Sequence, residues 1–145
     1  MKKNQNNELS YYGLSLLSYL KESHPQLVSD TDFVRLRADA AAEAYSNAIK
    51  EGETHLVAEE LANHVLFKDL LFSKYDTLVN VLWNEFSDII PQNKAKEFAE
   101  RILPESDSVF SKYILSDEFE SSKEYDKLYT ELTGFISLWL EENEL

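Results

Sequence analysis

Apolar residues recur along this chain with the spacing of an α-helix. In the clearest stretch they lie mostly three or four residues apart, at Tyr75, Leu78, Val79, Leu82, Trp83, Phe86, Ile89 and Ile90. Residues with this spacing share one face of a helix, whereas a half-buried strand alternates apolar and polar residues. The pattern therefore predicts an amphipathic helix that ends at Pro91 and lies at the centre of the core.

Weaker apolar stripes predict further helices, each with one buried face. The first helix covers residues 8–23, and its stripe is Leu9, Tyr12, Leu16, Leu17 and Leu20. The second runs to about Lys50 with Phe33, Leu36, Ala40, Ala41, Ala44 and Ala48, and the third to about Leu71 with Val57, Ala58, Leu61, Ala62, Val65 and Leu66. After Pro91 the stripes are Ala95, Phe98, Ala99 and Ile102, then Val109, Phe110, Tyr113 and Ile114, then Tyr125, Leu128, Tyr129, Leu132, Ile136 and Trp139. We expect the alanine face of the second helix to meet the first helix near Gly13, since small residues allow close packing.

Capping residues and prolines separate these stripes. Side chains that can accept a backbone N–H at a helix start occur at Ser29 or Asp30, at Thr54, at Ser73 with Asp76, at Asp107, and at Ser121 with Glu124. Proline ends helices at Pro25, Pro91 and Pro104. Neither Gly nor Pro separates the third helix from the fourth, so either two helices or one kinked helix fits this region.

The pattern as a whole predicts an all-α fold, a compact multihelical bundle of about six to seven helices. Only three Gly and three Pro occur, which agrees with this fold because β-rich domains need many turns. We expect one domain over residues 1–145. Residues 90–92 are the candidate for a soft boundary, because charge and proline punctuation both change there.

The absence of cysteine excludes disulfides, thiolate metal sites and a cysteine nucleophile. Two lysines near the N-terminus are not followed by the apolar segment of a secretory leader. The nearest apolar stretch, residues 11–20, is interrupted by serines and is too short to span a bilayer. These features predict a cytoplasmic protein that does not enter a membrane.

The net charge is −13, and it is concentrated towards the C-terminus. Residues 1–50 are neutral overall, whereas residues 104–145 hold eleven acidic and three basic residues. Such a surface repels phosphate, so we expect neither direct nucleic-acid binding nor binding to anionic membranes. It also suggests an alternative function, an acidic mimic of nucleic acid that binds a DNA-binding protein through Glu118, Glu120, Glu124, Asp126, Glu131, Glu141 and Glu142.

No motif for catalysis or cofactor binding is present. The three glycines are isolated and no G-x-S-x-G occurs, so phosphate-binding loops and a serine nucleophile elbow are excluded, and we expect no cofactor. Glu60 and His64 have the i, i+4 spacing of a helical metal site, which makes them the metal candidates of a second alternative, a small helical enzyme or metal-binding protein. The same spacing is more typical of surface pairing.

Other charged and polar residues have ordinary structural interpretations. Arg35 and Arg37 are expected to form local ion pairs with Asp32 and Asp39. His24 is expected in a loop, and His55 in a solvated first turn of a helix. The acidic residues from Asp117 to Asp126 are expected to form a solvated face, with Asp117, Glu118, Glu120, Glu124 and Asp126 as its members.

The first helix carries a cluster of tyrosines that indicates a binding surface. Tyr11 and Tyr12 are adjacent and point about 100° apart, so both cannot be fully buried. Tyrosine is enriched at interfaces because it combines apolar area with a polar tip. Our leading prediction is a non-enzymatic protein-protein interaction or regulatory module that binds a protein partner or self-associates. The interaction candidates are Tyr11, Tyr12, Tyr19, Glu118, Glu120 and Glu124.

The chain also resembles a known family over essentially its whole length. The resemblance lies in ELSYYGLSLLSYLKESHP, in the alanine-rich second helix and in ANHVLFKDLLFSKYDTLVNVLWNEF. These segments resemble an uncharacterised family of small all-helical proteins from Bacteroidetes-type bacteria, a domain of unknown function often encoded on mobile elements. The resemblance implies a multihelical fold and brings no catalytic residue.

Overall fold

The computed structural model describes residues 10–143, and these residues form seven α-helices, three short 3₁₀ turns and no strand. The helices are α1 (Tyr11–Ser23), α2 (Thr31–Lys50), α3 (His55–Phe67), α4 (Lys74–Glu85), α5 (Ala95–Ile102), α6 (Asp107–Phe110) and α7 (Glu124–Glu142). The 3₁₀ turns are Pro25–Leu27, Gln92–Lys94 and Phe119–Ser121. The prediction of an all-α multihelical bundle is confirmed. No helix in the described part of the chain is both long and apolar enough to cross a membrane.

The chain divides into two compact units, Met1–Lys68 and Asp69–Leu145. Unit 1 contains α1 to α3 and unit 2 contains α4 to α7. Within unit 2, residues 90–92 lie between α4 and α5 in the sequence, and these two helices pack against each other. The expectation of a single domain with a soft boundary at those residues stays a prediction.

In unit 1, α2 packs against both α3 and α1. Helix α1 starts where the Ser10 side chain accepts the backbone N–H of Gly13 at 3.1 Å. The stripe predicted for this helix is confirmed at Leu16 and Leu20, which are fully buried, while Tyr12 and Leu17 are half-buried. Residue 8 and Leu9, where the sequence places the helix start, lie outside the described residues. Gly13 is buried on α1, and its contact with the alanine face of α2 stays a prediction.

The stripe predicted for α2 is wrong in its first half. Leu36 is 69% exposed and Ala40 is exposed, whereas the buried row consists of Val34, Ala38, Ala41 and Ala48. Two neighbouring rows of this helix are apolar, and the row with the smaller side chains lies against the adjacent helices. Small residues allow a shorter distance between helix axes, which explains why the row through Ala38 is buried and the row through Leu36 is not.

Helix α3 begins as predicted, because the Thr54 hydroxyl accepts the backbone N–H of Val57 at 3.2 Å. It ends at Phe67 rather than near residue 71, and Leu61 is exposed rather than inward. Asp69 then takes a φ of +67°, a left-handed conformation that an α-helix does not contain. This residue separates α3 from α4, so the interpretation as one kinked helix is wrong.

In unit 2, α4 lies at the centre of a continuous apolar core, as predicted. It packs against α5 and α7, and the Ser73 side chain caps it by accepting the backbone N–H of Asp76 at 2.9 Å. Trp83 and Ile89 are the members of its predicted stripe that are exposed. Ile89 does not lie on the buried face of α4, because this helix ends at Glu85 and its helical spacing does not continue to residue 89. The stripe of α5 is buried at all four positions.

The predicted starts of the last two helices are wrong. Asp107 is the first residue of α6 and does not cap it, and its carboxylate accepts from the Lys74 ammonium at 2.8 Å instead. Helix α7 starts at Glu124 without a side-chain cap, because the Ser121 hydroxyl donates to the carbonyl of Glu118. Ile114 lies beyond the short α6 and is exposed. The buried stripe of α7 agrees with the prediction at Leu128, Leu132, Ile136 and Trp139, with Tyr125 and Tyr129 half-buried.

Candidate functional site

An open groove runs along the outward side of α1 and encloses about 560 Å³. It is lined by Tyr11, Leu14, Ser15, Ser18, Tyr19, Glu22 and Phe67. Six of these residues come from α1 and Phe67 is the last residue of α3. The α1 positions repeat at intervals of three, four and seven residues, which places them along one side of the helix. We call this feature the α1 groove.

The rim of the α1 groove holds two large apolar side chains in contact with water. Tyr11 is 71% exposed and Leu14 is 57% exposed. Tyr11 directly follows the cap residue Ser10, and the backbone N–H of Leu14 donates to the Ser10 carbonyl at 2.9 Å. The rim therefore presents two exposed side chains, one aromatic and one aliphatic, on a capped turn of helix.

The wall of the α1 groove is built from packed rings. The Tyr19 ring meets the Phe67 ring edge-on at 5.2 Å between centroids, and it lies 5.8 Å from the His24 ring. His24 follows α1 as expected, and it is buried. Its backbone N–H donates to the carbonyl of Leu20 at 2.8 Å. This packing fixes the end of α1 and the position of the Tyr19 ring.

The structure separates the three candidate tyrosines of α1. Tyr11 and Tyr19 line the α1 groove, whereas the Tyr12 hydroxyl donates to the Glu59 carboxylate of α3 at 3.3 Å. Burial, together with the nearby carboxylate of Glu59, raises the pKa of Tyr12. Tyr12 therefore ties α1 to α3, and it is available as a control residue that lies outside the groove.

The remaining lining of the α1 groove is polar and nearly uncharged. Ser15, Ser18 and Glu22 follow one another at helical spacing, and Glu22 is the one charged residue among the lining residues. The lining thus changes from apolar at Tyr11 and Leu14, in the first turn of α1, to a single carboxylate near the end of this helix. Leu14 and Phe67 were not among the sequence candidates. An apolar residue outside the buried stripe is a signal that could have identified Leu14.

A second, smaller groove of about 340 Å³ lies between the outward sides of α2 and α3. Its lining is Phe33, Leu36, Arg37, Ala40, Val65 and Lys68. We call it the α2–α3 groove. Its charged lining residues, Arg37 and Lys68, are both basic, in contrast to the strongly acidic composition of the chain.

Arg37 does not pair with Asp39, and that prediction is wrong. Its guanidinium Nη1 donates to the carbonyl oxygens of Leu66 at 3.0 Å and Lys68 at 2.7 Å, with Val65 at 3.4 Å. The last carbonyls of a helix have no partner within that helix and carry partial negative charge, so a cation is well placed there. The guanidinium also lies 5.0 Å from the centroid of the Phe33 ring. The predicted pair of Arg35 with Asp32 is present at 3.7 Å.

The metal candidates Glu60 and His64 are both exposed on α3. Within residues 10–143, no group of three or more His, Asp or Glu side chains is arranged to hold a metal ion. The pair alone supplies two ligands, whereas protein zinc sites have three or four. His55 is exposed in the first turn of α3 as predicted, and its Nδ1 forms a hydrogen bond with the Tyr45 hydroxyl.

The acidic residues before and within α7 occupy different environments. Glu118, Glu120, Glu124 and Asp126 are exposed, as a solvated face requires, and Glu124 lies 3.4 Å from Lys127. Asp117 departs from this prediction, because its two carboxylate oxygens accept the backbone N–H groups of Asp69 and Leu71, each at 3.0 Å. Asp117 therefore holds the loop that contains the left-handed Asp69.

Glu131 of α7 forms a cluster with two residues that follow α6. Its carboxylate accepts from the Lys112 ammonium and from the Tyr113 hydroxyl. The hydrogen bond to Glu131 raises the pKa of Tyr113 to about 12, and the hydrogen bonds from Lys112 and Tyr113 lower the pKa of Glu131. The partners of Glu131 and Glu124 reduce the negative charge that α7 presents at these positions.

Comparisons with known proteins place the chain among uncharacterised relatives. The model of a family described as "Domain of unknown function (DUF1896)" matches residues 4–145. The crystal structure of protein PG0816 from Porphyromonas gingivalis is 43% identical and superposes with a TM-score of 0.90, covering 99% of this chain and 98% of the other. No curated protein matches the chain. The resemblance predicted from the sequence is confirmed, while an association with mobile elements stays a prediction.

Proposed function

The chain belongs to the DUF1896 family, and we propose that it is a non-enzymatic protein-binding module that uses the α1 groove as its binding site. The observation that carries this proposal is the exposure of Tyr11 and Leu14 on the rim of a groove whose wall is aromatic. Tyrosine is enriched among the residues that contribute most to binding, and aromatic residues are enriched at the cores of protein interfaces. Leaving such side chains in water forgoes the free energy of burial that a partner would recover.

The shape of the α1 groove favours a helix as the bound element. The lining from Tyr11 to Glu22 spans eleven residue steps of α1, which is about 16 Å or three helical turns. Helix-in-groove recognition uses apolar residues at i, i+3 or i+4, and i+7 of the bound helix. We infer that these residues would contact Tyr11, Leu14 and the Tyr19–Phe67 wall.

The charge of the α1 groove restricts the partner further. Glu22 is its one charged lining residue, and the chain as a whole carries −13. A basic residue of the partner helix placed opposite Glu22 would pair with it, and the overall field would accelerate association with a basic partner. The partner is therefore an amphipathic helix with an apolar face and a basic residue towards one end.

Site-specific photo-crosslinking tests this proposal. A photoreactive amino acid at position 14 places the reactive group on the rim of the groove, and the same substitution at Leu56 of α3 replaces an even more exposed leucine outside the groove lining. Both versions of the full chain are expressed in the native host and irradiated. We expect a protein adduct from position 14 that position 56 does not yield.

A pair of variants distinguishes binding in the α1 groove from nonspecific binding. Leu14→Asp adds a charge to the rim and is expected to abolish co-purification of the crosslinked protein, whereas Tyr12→Phe removes a hydroxyl outside the groove and is expected to retain it. Failure to obtain an adduct specific to position 14 would contradict the proposal. Equal co-purification with Leu14→Asp and with the unsubstituted chain would contradict it as well.

A further inference from the structure

The α2–α3 groove is an apolar surface with a basic rim. Leu36 is 69% exposed and Ala40 is exposed, whereas Phe33 and Val65 are half-buried. The two charged side chains are Arg37 and Lys68. Because the three carbonyls at the end of α3 hold the Arg37 guanidinium, its cation is presented in a fixed position beside the apolar floor.

Helix α7 presents a surface of opposite character. Gly134, Leu138 and Glu141 follow one another at i, i+4 and i+7, which places them in one row, and Glu142 lies beside that row. Leu138 is 60% exposed, and Glu141 and Glu142 are exposed. We call this surface the α7 ridge. It combines an aliphatic side chain with two carboxylates.

Gly134 is not required by the fold of its own chain. A glycine within a helix costs about 1 kcal/mol relative to alanine. A Cβ built on Gly134 meets no atom within 4 Å, so no neighbour in the described chain approaches closely enough to exclude a side chain. Gly134 therefore leaves its position on the α7 ridge without a side chain.

We infer that the α7 ridge of a second copy of this chain docks in the α2–α3 groove. Both surfaces extend over seven residue steps of a helix, Phe33 to Ala40 and Gly134 to Glu141, which is about 10 Å in each case. Leu138 would cover the apolar floor of the groove at Leu36 and Ala40. Glu141 and Glu142 would face Arg37 and Lys68, so the charges of the two surfaces are complementary.

The two surfaces differ from each other, so the contact joins the α2–α3 groove of one copy to the α7 ridge of another. The net charge of −13 on each copy opposes the association of two copies. Attraction between the carboxylates of the α7 ridge and the cations Arg37 and Lys68 is needed to offset this repulsion. We expect self-association with a dissociation constant in about the micromolar range, because the contact covers a small patch. The contact involves no lining residue of the α1 groove.

A charge exchange between the two surfaces tests the inference by sedimentation of the full chain over a concentration series. Lys68→Glu places a carboxylate opposite Glu141, and Glu141→Lys places an ammonium opposite Lys68. Each variant alone is expected to raise the dissociation constant by about tenfold or more. An equal mixture of the two variants restores opposite charges at these positions wherever unlike copies meet, and it is expected to associate like the unsubstituted chain.

The double variant Lys68→Glu with Glu141→Lys also carries opposite charges and is expected to self-associate. Lys50→Glu, an equal charge change at the exposed end of α2 ten residues beyond Ala40, is the matched control and is expected to leave association unchanged. Circular dichroism verifies that every variant retains its helices. An unsubstituted chain that stays monomeric throughout, or a mixture that fails to restore association, would overturn the inference. Neither result affects the crosslinking test at position 14.

Discussion

Arg37 stabilises the end of α3 by donating to carbonyl oxygens that lack partners in their own helix. Hydrogen bonds from a charged donor in a half-buried position contribute about 1.5–3 kcal/mol. We predict that Arg37→Ala lowers the free energy of unfolding by about 2 kcal/mol, measured by urea denaturation. Arg35→Ala removes an exposed ion pair of 3.7 Å and is expected to cost less than about 0.5 kcal/mol. Equal losses in the two variants would contradict the capping role.

Asp117 acts on the loop before α4 through both oxygens of its carboxylate. In Asp117→Asn one oxygen becomes an NH₂ group, which cannot accept the second backbone N–H. We predict a loss of about 1–2 kcal/mol in the free energy of unfolding. Glu118→Gln changes an exposed neighbour in the same chemical way and is expected to stay within about 0.5 kcal/mol of the unsubstituted chain. A loss of about 1–2 kcal/mol in Glu118→Gln as well would show that the loss in Asp117→Asn comes from the change in charge and not from the two hydrogen bonds.

The Tyr113–Glu131 hydrogen bond makes stability depend on pH at both extremes. An unfolded tyrosine has a pKa of about 10, and the pKa of Tyr113 is raised to about 12. Its contribution is therefore fully present below pH 10 and is lost as the pH rises towards 12. The pKa of Glu131 is lowered, so its contribution is present above the ordinary pKa of glutamate and is lost as the pH falls through the lowered value.

The variant Tyr113→Phe isolates the alkaline part of this dependence. Urea denaturation at a series of pH values between 9 and about 12 should show a shallower decline in stability for the variant than for the unsubstituted chain. The other tyrosines titrate in both proteins, so the difference between the two curves reports Tyr113. Parallel curves above pH 10 would show that the hydrogen bond to Glu131 does not hold the phenol proton.

At the scale of helices, two serines that look alike in sequence have different roles. The Ser73 side chain caps α4, whereas the Ser121 hydroxyl donates to a local carbonyl and leaves α7 uncapped. We predict that Ser73→Ala lowers the free energy of unfolding by about 1 kcal/mol and that Ser121→Ala changes it by less than half of that. Thermal unfolding followed by circular dichroism measures both. A larger loss in Ser121→Ala than in Ser73→Ala would indicate that Ser121 caps α7, as the sequence predicts.

The helical period locates the elements well where one face meets one continuous core. This holds for α4, α5 and α7, whose buried residues agree largely with their stripes. It fails for α2, because apolar rows through Leu36 and through Val34 are neighbours and only packing decides between them. It fails for the start of α7, because the residues before this helix form local turns, from Ser116 to Phe119 and from Glu118 to Ser121, that occupy the capping hydroxyl.

The candidate site was predictable in part. Tyr11 and Tyr19 follow from the tyrosine cluster on the first helix, since two adjacent tyrosines cannot both face the core. Phe67 could not be found in this way, because its place beside Tyr19 depends on the packing of α3 against α1. Arg37 and Asp117 were misassigned for a related reason. Their backbone partners lie 28–31 and 46–48 residues away in the sequence, beyond the reach of local spacing rules.

Across the whole molecule, net negative charge is concentrated in unit 2, whereas exposed apolar side chains occur in both units. Residues 69–145 hold seventeen acidic and seven basic residues, which accounts for ten of the thirteen net negative charges. Both grooves are lined by residues of unit 1, where net charge is small. Exposed apolar side chains and weak charge favour contact with another protein, while the acidic remainder maintains solubility. The weak net charge of unit 1 agrees with a protein-binding role for the α1 groove.

The most direct measurement of the central claim is the affinity of the chain for the protein crosslinked at position 14, determined by calorimetry with purified components. The account predicts that Leu14→Asp weakens this affinity by at least about tenfold, because Leu14 lies on the rim of the α1 groove. The matched variant Leu56→Asp changes an exposed leucine outside the groove and should bind like the unsubstituted chain. Equal affinities for all three proteins would contradict the claim that the α1 groove is the binding site.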